Sequence, residues 1–186
     1  MSDTVSKYRF RRIALFDTSV GSENLGDEII MDAVDHVVAE ILPHAHILRV
    51  ATHLPLGIPG KRLVHDVDFG IVGGTNLLTS HMLSYAQWKI DLIDAMILSN
   101  IYLLGVGWWS YQKKPDIYTR RLLRSVLGKK LSHSVRDAYT QENLNAAGIA
   151  NVLNTGCPTL WQIDEGKLYE SVAEPNDAAV CTVTDY

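Results

Sequence analysis

Residues 13–30 read Ile13-Ala14-Leu15-Phe16-Asp17-Thr18-Ser19-Val20-Gly21-Ser22-Glu23-Asn24-Leu25-Gly26-Asp27-Glu28-Ile29-Ile30. They pass from an apolar run, through a polar turn, into a helical pattern. Residues 13–17 have the unbroken apolar character of a strand buried on both faces. Over 27–42, Ile29, Ile30, Ala33, Val34, Val37, Val38, Ile41 and Leu42 recur at helical spacing, and Pro43 ends the pattern. Three more short turns sit just behind apolar runs: Gly73-Gly74-Thr75-Asn76, Gly105-Val106-Gly107-Trp108-Trp109 and Arg136-Asp137. In an open parallel sheet such turns gather at the carboxyl ends of the strands, where ligands bind.

Working outward, strands are predicted over 47–51, 69–72, 101–106, 132–135 and 151–154. Helices are predicted over 85–98, 115–127 and 137–147. The first carries Trp88, Leu92, Ala95 and Met96 on one face. Pro115 opens the second and Gly128 closes it; Gly148 ends the third. Residues 53–67, with two prolines and two glycines, read as a loop. Strand and helix alternate, so the expected architecture is α/β: a Rossmann-like parallel sheet with helices on both faces. Residues 1–11 read as a flexible leader and 12–163 as the α/β domain. Residues 164–177 read as a polar linker with Pro175, and 178–186 as a last strand or the start of a second domain.

At 186 residues the chain suffices for one well-buried domain. Its 47% apolar and 20% charged content is that of a globular protein rather than a disordered one. The formal charge of -4, with no basic patch, argues against a nucleic-acid partner. No apolar stretch is long enough for a membrane span. Two cysteines, Cys157 and Cys181, make no disulfide framework, which fits a reducing cytoplasm. Histidines 44, 46, 53, 65 and 81 lack the carboxylate or thiol spacing of a metal centre, so no metal is expected.

Each turn admits a chemical and a structural role. In Gly21–Glu28, Asn24 and the free N–H groups of a helix start suit a substrate oxygen, with Asp27 or Glu28 as a base. Acidic residues there equally stabilise a helix dipole. The turn matches neither a phosphate loop nor a dinucleotide fingerprint. Gly73 and Gly74 permit close approach by a ligand, while Thr75 or Asn76 also suit a helix cap. Trp108, Trp109 and Tyr111 beside Gly105 and Gly107 suit a sugar ring or core packing. Arg136 suits a carboxylate or phosphate, and Asp137 a cap. Cys157 has no base placed with it.

Taken in order, these segments resemble the polysaccharide pyruvyl transferase family. The matching pieces are Asn24-Leu25-Gly26-Asp27-Glu28, Gly73-Gly74-Thr75-Asn76-Leu77-Leu78, Gly105-Val106-Gly107 and Ser134-Val135-Arg136-Asp137 with Thr140, Leu144 and Gly148. Thr155-Gly156-Cys157-Pro158-Thr159 completes the set. They run from about residue 12 to 162. Thr75 stands third in the family's usual Gly-Gly-Gly run. The family often has Asp where Cys157 stands, so that position is given no chemical role. The resemblance implies the N-terminal half of a two-domain, GT-B-like enzyme. Such an enzyme moves pyruvyl from phosphoenolpyruvate onto a sugar, forming a ketal on a cell-surface polysaccharide or its precursor. It implies a saccharide acceptor, phosphoenolpyruvate as donor, no cofactor, and a C-terminal domain or a homo-oligomer as partner. Asp27 or Glu28 becomes the candidate base. Asn24, Gly26, Gly73, Gly74, Thr75, Asn76, Gly105, Gly107, Trp108, Arg136 and Asp137 become candidate substrate-binding residues. A sugar- or nucleotide-binding module without chemistry, or half of a GT-B glycosyltransferase, are the other readings.

Overall fold

The computed structural model describes residues 11–163. Strand β1 (Arg12–Asp17) lies inside the sheet, with Ile13, Ala14, Leu15 and Phe16 fully buried. It pairs in parallel with β2 (His46–Ala51) on one side and β3 (Phe69–Gly73) on the other. Beyond β3 come two short strands, β4 (Asn76–Leu78) and β6 (Gly107–Trp108). They form a parallel ribbon of their own past the ends of β3 and β5 (Ile101–Leu104). β5 pairs with β3, and a bridge from Val106 to Val135 attaches β7 (His133–Val135) and then β8 (Val152–Asn154). The strands thus run β2-β1-β3-β5-β7-β8, all parallel. The order reverses at β1 and β3, the place where open α/β sheets bind ligands.

Alternate residues of the buried strands feed two cores. Ile13, Leu15 and Ile71 meet helix α1 (Leu25–Ile41) through Met31, Val34 and Val38. Ala14, Phe16, Val72 and Leu103 face Val64 of α2 (Ile58–His65), Trp88, and helices α3 (Ile117–Val126) and α4 (Ala138–Ala146). Each large apolar side chain so buried contributes about 1.5–3 kcal/mol. Phe16 and Trp88 meet edge to face, ring centres 5.6 Å apart. The sheet is therefore covered on both faces, as the alternation predicts. The inward stripe of α1 differs in detail, because Met31 is buried while Ile29 and Ile41 are exposed.

Two predicted elements differ. Residues 85–98 form no helix beyond a single 3-10 turn at Asp94–Met96. Asp91 Oδ1 accepts the N–H groups of Ile93 and Asp94, both at 2.8 Å, and Asp94 Oδ2 accepts that of Asp91. These carboxylates take the donors a continuous helix would need. The Lys89 N–H, meanwhile, is bonded to Thr52 at the end of β2. Conversely, the predicted loop at 53–67 contains α2, because Pro59 falls in the first turn, where no N–H is required. The strand predicted over 101–106 stops at Leu104. The predicted linker and last strand lie outside the described residues.

Two buried ionisable groups tie the sheet together. Burial would raise the Asp17 pKa, but hydrogen bonds from Ser19 and the Arg49 guanidinium outweigh it and leave it below the ordinary value. Arg49 also pairs with Asp35 of α1. His133 is fully buried; its Nδ1 accepts from Leu103 N–H and its Nε2 donates to Gly128 O at 2.9 Å. Burial pushes its pKa below 6.5, partly offset by the Gly128 carbonyl. A folded-state pKa below the unfolded one means that full stability is present above pH 6.5 and is lost as pH falls from there. Melting temperature should therefore fall as pH drops from about 7 to about 5, a range in which Asp17 stays ionised. His133→Gln, which keeps a neutral donor and acceptor, should flatten that fall; an unchanged slope would refute the assignment.

Candidate active site

The turn after β1 folds back on itself to start α1. Asn24 caps the helix: its Oδ1 accepts the Gly26 N–H at 3.0 Å, a contact worth about 1 kcal/mol. Asp27, in the first turn, is buried. Its Oδ2 accepts from the Ser22 hydroxyl at 2.6 Å and its Oδ1 from the Thr75 hydroxyl at 2.9 Å. Two lone-pair positions on the carboxylate remain. Glu28 is exposed, without a hydrogen-bond partner among the described residues.

Thr75 is the joint of the site. Its φ of 52° is left-handed, a conformation that costs a β-branched residue about 1–3 kcal/mol. Its hydrogen bond to a carboxylate is worth about 1.5–3 kcal/mol, enough to offset that cost. Its carbonyl accepts the Gly107 N–H at 2.8 Å. It therefore couples Asp27 on α1 to the ribbon of β4 and β6.

On that ribbon, Asn76 pairs with Gly107. A methyl group at Gly107 would run into both the Asn76 side-chain oxygen and the stem of Arg136. The two side chains thus meet over this glycine. The Arg136 N–H is bonded to Val106 O at 3.1 Å, which fixes the residue at the end of β7. Among the described residues its guanidinium has no hydrogen-bond or ion-pair partner. Asp137, next to it, is the cap of α4 and accepts from Thr140 N–H at 2.7 Å.

The remaining sequence-predicted positions are occupied by the chain's own side chains. Gly74 (φ 46°) lies against Ile30, Gly73 against Met31 and Val34, and Gly105 against Pro158. Their close approach is to neighbouring elements. Trp108 is 4% exposed, its Nε1 directed at Ser80 Oγ, so its faces are packed. Its neighbour Trp109 is 43% exposed. Sequence reasoning did not single out Ser22, which holds Asp27, nor the choice of Trp109 over Trp108. The alternation of sides along a strand was the available signal for the second. Among the described residues no histidines, cysteines and carboxylates cluster as a metal site, and no helix is long and apolar enough to cross a membrane.

Fold and site together define an α/β domain that gathers polar side chains at the carboxyl edge of a parallel sheet. They include the buried carboxylate of Asp27 and an arginine, Arg136, whose guanidinium has no hydrogen-bond or ion-pair partner among the described residues. A family model, polysaccharide pyruvyl transferase, matches residues 24–185. The chain belongs to the polysaccharide pyruvyl transferase family. Searches of curated proteins and of solved structures return no match.

Proposed function

We propose that this protein transfers the pyruvyl group of phosphoenolpyruvate to a saccharide, forming a cyclic ketal and releasing inorganic phosphate. The observation that carries this reading is Thr75. It links the buried Asp27 carboxylate, through Gly107, to Arg136, whose guanidinium has no partner among the described residues, at the carboxyl edge of the sheet. The family supports a saccharide acceptor. The donor bears a carboxylate and a phosphate, for which a planar guanidinium is the suited partner. That role falls to Arg136, with Asn76 beside it orienting an acceptor hydroxyl. An acid protonates the donor methylene. One sugar hydroxyl adds to the carbon that bears the phosphate ester; a second then forms the other C–O bond as the C–O bond to phosphate breaks, and phosphate leaves with that hydroxyl's proton. The first hydroxyl gives up its proton to Asp27 through Ser22, whose own hydroxyl already donates to that carboxylate. Glu28, facing solvent, is the competing acceptor. Asn24 and Gly26 shape the turn that holds Ser22.

The test is to incubate the protein, at the length found in its source cells, with phosphoenolpyruvate and candidate sugars. Phosphate release that depends on the sugar, with a ketal on the recovered sugar, is expected. Sugar binding without consumption of phosphoenolpyruvate would overturn the reading in favour of a binding module. Consumption of a nucleotide sugar instead would identify a glycosyltransferase.

A further inference from the structure

Trp109 leaves β6 two residues beyond Gly107, the glycine beneath Arg136 and Asn76. Its N–H is bonded to Leu78 O at 2.8 Å, which fixes where the ring projects. It meets Tyr85 at 4.6 Å between ring centres and 43° between planes, an open V rather than a stack. Both rings are 43% exposed. Tyr85 is held from three sides. Its carbonyl accepts the Thr79 hydroxyl at 2.8 Å, its N–H donates to His81 O at 3.0 Å, and its own hydroxyl accepts the Gln87 amide at 2.7 Å. Beside Tyr85 opens a cavity of about 340 Å³ whose wall includes Ser84, Lys89 and Asp91. That size is at the lower end of ligand sites. The two rings pack on each other, yet close to half of each residue's surface stays in contact with solvent, leaving aromatic area that the fold does not cover.

We infer that Trp109 and Tyr85, with the adjoining cavity, form the acceptor subsite, and that they take a neutral pyranose ring. The apolar C–H face of the ring lies on the indole and phenol. Its hydroxyls turn to the hydroxyl, ammonium and carboxylate groups of Ser84, Lys89 and Asp91. The inference rests on the transferase reading for the word acceptor; the binding of a sugar ring stands without it. A rigid aromatic pair loses little conformational entropy when it binds, which suits a weakly held, neutral ligand.

The test uses methyl pyranosides of glucose, galactose and mannose, with saturation-transfer NMR on the full chain. Signals on ring protons of at least one sugar are expected. Trp109→Ala should weaken that binding by about tenfold, the size of one lost anchoring contact, and Tyr85→Ala should weaken it as well. Trp109→Phe, which retains an aromatic face, should restore most of it, while affinity for phosphoenolpyruvate stays unchanged in all three variants. Should Trp109→Ala misfold, the comparison of Tyr85→Ala with Trp109→Phe serves in its place. The inference is overturned if the wild-type chain binds none of the three sugars, or if binding is unchanged in Trp109→Ala and Tyr85→Ala. Binding that depends on Trp109 without any turnover of phosphoenolpyruvate would remove the transferase reading and leave the sugar subsite.

Discussion

Arg136→Ala should lower kcat/KM for phosphoenolpyruvate by about 10²–10³, the usual loss when a preorganised charge partner is removed from a reacting anion. The fold should barely change. The guanidinium has no ion-pair partner among the described residues to lose, and the backbone bond to Val106 does not involve the side chain. A surface-type substitution of this kind usually shifts stability by no more than about 0.5 kcal/mol. Arg136→Lys should recover part of the activity, because an ammonium supplies the charge without the planar fork. Steady-state kinetics on the two variants decide the matter. A value for the alanine variant within threefold of wild type would remove Arg136 from donor binding.

Asp27→Asn should reduce turnover by about 10²–10³ while leaving the melting temperature within a few degrees, a loss in the range of general-base catalysis. The amide keeps the shape of the carboxylate. Its oxygen accepts one hydroxyl and its NH₂ donates to the other, so Ser22 and Thr75 stay satisfied. What is lost is the ability to take a proton. Asp27→Ala is a different experiment, since it strands the two hydroxyls. It should cost about 1–3 kcal/mol of stability in addition. Glu28→Gln distinguishes the two carboxylates: it should remain within about twofold of wild type, as a solvated group outside the proton path. The reverse pattern, an active Asp27→Asn and an inactive Glu28→Gln, would assign the base to Glu28.

The first third of the domain was legible because its periodicities are unmixed. The apolar run of β1 and the helical spacing of α1 each admit one structural reading, and the polar turn between them marks where one passes into the other. Residues 85–98 carried a helical spacing just as plain, and it misled, because Asp91 and Asp94 turn their carboxylates on the backbone. No apolar pattern registers that competition. In α2 the reverse happened: Pro59 and Gly60 look like breakers but fall where a helix tolerates them. The glycine turns were correctly placed at strand ends. Which atoms crowd them, Ile30 and Pro158 among others, depends on elements far away in the chain. The same holds for the Asp27 carboxylate, whose partner Thr75 lies 48 residues on. The sequence already offered Arg136 as an anion partner and Asp137 as a helix cap, and capping by Asp137 is what the structure has: its carboxylate accepts the Thr140 N–H. What only the fold reveals is that the Arg136 guanidinium has no ion-pair partner among the described residues, where the sequence equally allowed a structural ion pair.

Glycines 73, 74, 105 and 107, at the carboxyl edge of the sheet, are each crowded by a neighbouring side chain that an added Cβ would strike. Positions so tight are closed to tinkering. Any side chain added there displaces a helix, a proline or the arginine itself before it can touch a substrate. If the aromatic pair is the acceptor subsite, new acceptor preferences are written around residues 83–85 and 109–111, whose side chains are exposed. A mutagenesis library aimed at a different sugar belongs there, and a lineage adapting to a different polysaccharide has the same narrow latitude.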